Sequence, residues 1–295
     1  MLFSIAVFAG SAFAGDWPAW RGPNNDGVAD DGPPPPVVWD QSENIVWKTK
    51  VPGRGHSSPI VVGERIFLTT ADESAKSHAI LCFDRANGRM LWQTVVNRGG
   101  FPDRIHKKNT HATPTPICDG ERVIATFFHS GGIHLYALDL DGKELWTVRT
   151  GDFKSRYPYG YGASPAIYKS TIIVSSEFEK GGFLAAFDRK TGKEIWRTPR
   201  ADVSSYSSPV VGFVALRDQL LISGNKQISG YDPESGRRLW SAPGSVQVTA
   251  GTVVWENNLV FASGGFPDKE TAAVKLTPGG ESAKQIWKNG VQCYE

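Results

Sequence analysis

Methionine is nearly missing from this chain, with two in 295 residues, and cysteine is scarce at three. An odd number of thiols, with no two at metal-ligand or C-x-x-C spacing, supplies neither a disulfide framework nor a zinc or redox motif. Cys82 and Cys118 could pair in an oxidising compartment or stand as small buried side chains; both readings stay open. Charge of one sign is also lacking: the formal net charge is +2 and no block of like charges occurs. That excludes the basic footprint of a dedicated nucleic-acid binder. Long apolar runs are absent too. The longest, Met1–Ala14, falls short of the roughly 20 residues that cross a bilayer, and its Ala12-Phe13-Ala14 end reads as a signal-peptidase site without the usual preceding Lys or Arg. An exported protein of the bacterial periplasm or an equivalent envelope space is the expectation.

What is plentiful is Gly 32, Pro 19 and Trp 10, a mixture suited to tight turns and aromatic-stapled strands. One short phrase recurs: FDRANGRMLW, LDLDGKELW, FDRKTGKEIW and YDPESGRRLW. Each carries an aspartate, a glycine and, four residues on, a tryptophan. Asp84, Gly88 and Trp92 make the first copy, and Asp139, Gly142 and Trp146 the second. Asp188, Gly192 and Trp196 make the third, and Asp232, Gly236 and Trp240 the fourth. The glycines predict hairpin turns with positive φ, read here as two-residue turns, and the aspartates can accept hydrogen bonds from the turn amides. A fifth, degenerate copy ends at Trp287, and Trp47 in NIVWKTKV reads as the tail of a copy without a beginning.

Between successive tryptophans the alternation predicts four strands: in the first unit Ser58–Val62, Arg65–Thr70, Ala79–Phe83 and Met90–Val95. First strands open on matched prolines, Pro59, Pro114, Pro165 and Pro209, which a strand tolerates at its first position. Four-stranded antiparallel units repeating about every fifty residues predict an all-β propeller whose tryptophans wedge between neighbouring blades. Their removal is expected to cost about 3–5 kcal/mol each. A β-sandwich gives no reason for one turn chemistry at a fixed distance from one tryptophan, and amphipathic helices for a (β/α)₈ barrel are missing. The segments are then a leader, 1–14; an N-terminal extension with a proline-rich spacer, 15–36; and the propeller, 37–295.

These repeats resemble those of the pyrroloquinoline-quinone-type propellers, whose hallmark is Asp-x-x-Thr-Gly-Lys-x-x-Trp; Asp188 to Trp196 matches every fixed position. The opening DWPAWRGPNNDG is similar to the segment before the first blade in exported bacterial members. The resemblance implies seven or eight blades, within the range propellers show, closed by pairing an N-terminal strand with the last sheet. Five units and one stray outer strand, Ile45–Val51, therefore predict an incomplete ring lacking C-terminal blades; a closed five-bladed ring is the alternative. The family includes quinone-dependent dehydrogenases and non-catalytic members such as an outer-membrane assembly scaffold and sensor domains. The dehydrogenases use adjacent cysteines and a Ca²⁺ set of carboxylate and amide oxygens, and this sequence matches neither. A binding scaffold without a cofactor is the expected function, with a quinone- and calcium-dependent alcohol or sugar dehydrogenase as the alternative.

For the site, residues three before the matched prolines are His56, His111, Gly162 and Tyr206. They predict polar groups at one height near a channel mouth, either a metal site or a plain channel lining. Arg54, Lys107, Lys108 and Arg156 would make that rim basic and suited to a protein or a small anionic or carbohydrate ligand. The segments 97–109 and 152–162, rich in aromatics and cations, are expected to form the binding lip. The acidic run Asn24 to Asp31 does not keep calcium-loop spacing.

Overall fold

The computed structural model describes residues 15–29, 34–200 and 203–291; the expected leader, Asp30, Asp31, Pro33 and Cys293 lie outside them. Among the described residues all regular structure is β, in five four-stranded antiparallel sheets. The first holds β1 (Ile60–Val62), β2 (Arg65–Asp72), β3 (Ser77–Asp84) and β4 (Met90–Arg98), and the second β5 (Ile117–Cys118), β6 (Arg122–His129), β7 (Gly132–Asp139) and β8 (Glu144–Asp152). The third holds β9 (Ala166–Tyr168), β10 (Thr171–Ser176), β11 (Phe183–Asp188) and β12 (Glu194–Pro199). In the fourth are β13 (Val210–Val214), β14 (Arg217–Gly224), β15 (Gln227–Tyr231) and β16 (Arg238–Pro243). β17 (Val254–Glu256), β18 (Leu259–Gly264), β19 (Glu270–Leu276) and β20 (Ala283–Asn289) form the fifth, from the degenerate copy. The sequence pattern places the strands well, but the first begins two residues late, at Ile60, and the outer strands run longer.

The apolar core lies between consecutive sheets. Ile60, Phe67, Ile80 and Cys82 of the first meet Cys118, Val123, Ala125 and Phe127 of the second. Equivalent clusters join the second to the third, the third to the fourth and the fourth to the fifth. Middle strands such as β3 and β11 are buried almost end to end, because both faces of a blade are covered by neighbours. Cys82 and Cys118 are free thiols in this core. Burial pushes Cys82 up to about 12 and Cys118 up to about 11, which keeps them protonated and unreactive.

The repeated phrase forms a longer turn than two residues. Asp84 N–H donates to the Arg89 carbonyl at 2.8 Å and Gly88 N–H to the Asp84 carbonyl at 2.8 Å. The Asp84 carboxylate accepts from the amides of Ala86 and Asn87. Asp139, Asp188 and Asp232 repeat this carboxylate geometry. Each turn glycine has positive φ, and an added Cβ would strike the tryptophan of the preceding unit: at Gly142 it would lie 2.7 Å from Trp92, at Gly192 2.7 Å from Trp146. The indoles also donate across the boundary, Trp92 to the Leu140 carbonyl (2.9 Å), Trp146 to that of Arg189 (3.3 Å) and Trp196 to that of Pro233 (3.2 Å). These rings are half-buried staples at the outer edge of each interface, shallower than the wedges expected from sequence. Trp47 makes the same contact on the first sheet, its indole donating to the Arg85 carbonyl at 2.8 Å. Its segment, expected as a strand from Ile45 to Val51, is extended without a ladder partner among the described residues.

Trp240 departs from the pattern. It is buried, lies against Gly230 of its own sheet and donates to Gln219 Oε1 at 2.6 Å. Gln219, not the indole, packs against the fifth unit's Gly280. Opposite each tryptophan on the third strand stands a small residue: Cys82, Ala137, Ala186, Gly230 and Ala273. Only at Gly230 is there room for the ring to fold back.

Residues 15–29 form a strap across the inner strands. Trp17 exchanges both backbone hydrogen bonds with Val61, Pro18 accepts from the Cys118 amide (2.8 Å), and Trp20 donates to Thr252 Oγ1 (3.0 Å). Asn25 donates to the Val211 carbonyl (3.1 Å), and Ala19 is buried in the core between the second and third sheets.

Candidate functional site: the channel mouth

The segments that lead into β1, β5, β9, β13 and β17 converge on a cavity of about 600 Å³. His56, Thr113, Thr115, Gly162, Ser164, Tyr206, Ser208, Ala250 and Thr252 supply its wall and Trp20 of the strap also lines it. Small residues at Gly162, Ala250 and Gly265 make the space. Part of the wall is a hydrogen-bonded belt. Ser58 N–H donates to Thr115 Oγ1 (3.0 Å), Thr115 N–H to Ser164 Oγ (3.0 Å) and Ser164 N–H to Ser208 Oγ (2.9 Å), so each hydroxyl fixes the start of the preceding sheet's first strand.

The belt corrects the sequence alignment of the second unit. Its equivalent proline is Pro116, after Thr115, and not Pro114. The residue level with His56, Gly162 and Tyr206 is therefore Thr113, and His111 lies outside the cavity wall, stacked on Phe101 at 4.1 Å between ring centres. Of the rim residues expected from sequence, the structure brings His56, Lys108, Gly162 and Tyr206 to the cavity. Arg54 turns away to Glu73 (3.2 Å) and the Lys107 carbonyl, and Arg156 sits 5.8 Å over the Tyr157 ring at the outer side of the lip. Tyr206 is held by Ser155, its hydroxyl 2.6 Å from Oγ, and Ser155 in turn meets Ser204, which donates to Glu179 (2.9 Å). Burial pushes the Tyr206 phenol up to about 12, so it stays protonated.

The two long loops, 99–116 and 153–165, join into one lip. His106 N–H donates to the Pro158 carbonyl at 2.7 Å, Asn109 donates to the Tyr159 carbonyl, and the His106 and Tyr159 rings meet edge to face at 5.5 Å. Tyr157 stacks on Tyr159 at 5.6 Å, Tyr159 meets Tyr206 at 5.7 Å, and Tyr157 meets Phe266 at 5.6 Å. The result is an aromatic collar with Lys108, His106 and His56 as its cationic or ionisable members; among the described residues no aspartate, glutamate or cysteine lines the cavity. His106 and Tyr159 fall in the two segments expected to form the lip, whereas Trp20, Phe266 and the hydroxyl belt were not singled out from sequence. A repeated Ser/Thr-Pro step, Ser58-Pro59, Thr115-Pro116, Ser164-Pro165 and Ser208-Pro209, was the available signal for the belt.

Beside this lip, between the first two sheets, four of the chain's six histidines cluster. His129 and His134 stack at 3.8 Å, and His78 lies 5.8 Å from His129 and 6.4 Å from His111. His78 is fully buried, its Nε2 without a hydrogen-bond partner. Burial, reinforced by His129 and His111, brings it down to about 3; burial and His134 bring His129 to about 4; burial lowers His111 and His134 as well. Among the described residues no group of three or more His, Cys, Asp or Glu is placed to hold a metal ion. The described residues do not match a site for a quinone with Ca²⁺, as the resemblance implies for dehydrogenases: among them the two thiols are buried in a blade interface and no carboxylate lines the cavity.

A family model described as "Outer membrane protein assembly factor BamB" matches residues 28–100 and 75–293. A 1-butanol dehydrogenase (quinone) of Thauera butanivorans is 25% identical over 249 residues, 77% of this chain and 36% of that protein. The assembly factor BamB of Burkholderia pseudomallei is 23% identical over 208 residues, 66% of this chain and 46% of its own. The chain thus spans less than half the length of these relatives. Among solved structures, BamB of Moraxella catarrhalis superposes with a TM-score of 0.56 at 17% identity, covering 84% of this chain and 66% of that one. The quinohemoprotein alcohol dehydrogenase of Comamonas testosteroni gives 0.54 at 13%, covering 93% and 49%. At such identities the likeness of the solved structures is one of fold, the β-propeller.

Proposed function

The chain belongs to the pyrroloquinoline-quinone-type repeat family whose model is described as "Outer membrane protein assembly factor BamB", and from that premise we propose that it is a binding scaffold of the bacterial envelope that receives a partner or ligand at the channel mouth. The observation that carries this reading is the composition of the mouth: two locked loops, an aromatic collar and a hydroxyl-lined cavity with no carboxylate or thiol among the described residues. Rigid aromatics around a concavity suit recognition, since they give contact area at little conformational cost. Both scaffold and dehydrogenase relatives support membership equally, so the residues of the site favour the scaffold.

A photo-crosslinking side chain at Tyr157 on the collar, compared with one at Leu216 on an exposed turn, tests this in envelope extract. A discrete adduct from position 157 alone supports the scaffold. Reduction of an electron-accepting dye on addition of alcohol, after reconstitution with pyrroloquinoline quinone and Ca²⁺, refutes it.

A further inference from the structure

We propose that the channel cavity binds an acidic oligosaccharide, a chain of uronic-acid type. This rests on the reading of the mouth as the binding face and goes beyond it by fixing the ligand's chemistry. The first argument is an inventory of donors. The oxygens of Thr115, Ser164 and Ser208 each accept an amide from a neighbouring sheet, which leaves their hydroxyl hydrogens to donate. His106 Nδ1 accepts the Lys108 amide at 3.3 Å, so in the neutral ring the proton sits on Nε2, a further donor. Lys108, exposed at the mouth, has no carboxylate partner among the described residues. Donors in excess, with no acidic side chain among the described residues lining the wall, call for a ligand rich in acceptor oxygens and carrying negative charge.

The second argument is shape. Tyr159, Tyr206, Phe266 and Trp20 present rings to a cavity of about 600 Å³, a size that takes a short chain of rings. Aromatic rings pack on the apolar C–H face of a sugar while its hydroxyls and carboxylate turn to the donors. Inorganic anions would use the donors but leave the rings without a partner; neutral sugars would leave Lys108 unmatched.

Titration calorimetry on the intact chain with trigalacturonate, and with its fully methyl-esterified form, tests the proposal. The acid should bind, the ester at least tenfold more weakly. Lys108→Gln should weaken the acid about tenfold and leave the ester unchanged, and the exposed Phe266→Ala should weaken both. Equal binding of acid and ester, absence of binding by the acid, or binding of pyrroloquinoline quinone in its place overturns the proposal. If the sugar fails while the adduct at position 157 persists, the scaffold reading stands and only the ligand class falls.

Discussion

Two glycines of the second sheet separate backbone strain from tryptophan docking. Gly142 and Gly120 have nearly the same left-handed conformation, φ 85° and 88°, but a Cβ at Gly142 would lie 2.7 Å from the Trp92 ring and 2.9 Å from Thr94 Oγ1, whereas at Gly120 nothing stands within 4 Å. An alanine in the left-handed region costs about 1–2 kcal/mol at either place. At position 142 the indole must also leave its seat. A half-buried tryptophan loses on the order of 100 Å² of contact, worth about 2.5 kcal/mol at ~25 cal/mol/Å², and its hydrogen bond to the Leu140 carbonyl adds about 1 kcal/mol. Some of this is recovered as the ring settles elsewhere, so Gly142→Ala should exceed Gly120→Ala by about 2–3 kcal/mol. Urea unfolding followed by far-UV circular dichroism, with m values compared first, measures the difference. In a Trp92→Ala background Gly142→Ala should cost only its backbone strain, giving a coupling of about 2 kcal/mol in the double-mutant cycle. Equal losses for the two glycine variants, or a cycle that closes to zero, would refute the staple.

The histidine cluster makes stability depend on acid. His78 and His129, near 3 and 4 when folded against 6.5 for a free imidazole, leave stability flat above about pH 6.5. As pH falls from there towards 4, the unfolded chain takes up protons that the folded one refuses, so the melting temperature should drop, and His78→Phe should flatten that slope. The charged groups around it are few: Arg149 beside His134, and Glu73 and Arg54 beside His111. Gln219→Leu should cost about 1–3 kcal/mol in urea melts by leaving the buried Trp240 N–H unpaired; no loss would show that the indole finds another acceptor. Peptide mapping after alkylation under native conditions should find Cys82 and Cys118 unmodified, with both labelled in denaturant.

The architecture was legible because its signals are local and repeated. Asp, Gly and Trp at fixed offsets specify a turn, a left-handed residue and a ring to cover it, and nothing distant has to be known to count five sheets. The shortfalls have physical causes. Trp240 carries the same phrase as its equivalents, but the residue two before the aspartate is glycine where the others have Cys or Ala, and that absent methyl lets the ring fold inward. In the second unit, Thr-Pro-Thr-Pro offered two frames, and only the hydroxyl that caps the preceding strand's amide selects the later one, moving His111 away from His56. The collar was legible in part: His106 and Tyr159 fall in the two segments expected to form the lip and Tyr206 among the rim residues, but Phe266 comes from a fourth connection, and the meeting of all four depends on how far each loop folds over the cavity. The histidine cluster joins residues of β3, β6, β7 and a loop, and no spacing in the chain announces it.

The strap has a mechanical consequence. An array of modules that touch only their neighbours can fray one at a time from either extremity. Here a single stretch of peptide grips Val61, Cys118, Val211 and Thr252, and so knits four of the five modules together from within. Peeling the fifth module from the fourth must break the grip on Thr252, and loosening the first from the second must release Trp17. Unravelling is thereby converted from a sequence of small, independent openings into one larger, concerted event, with Ala19 buried at the knot.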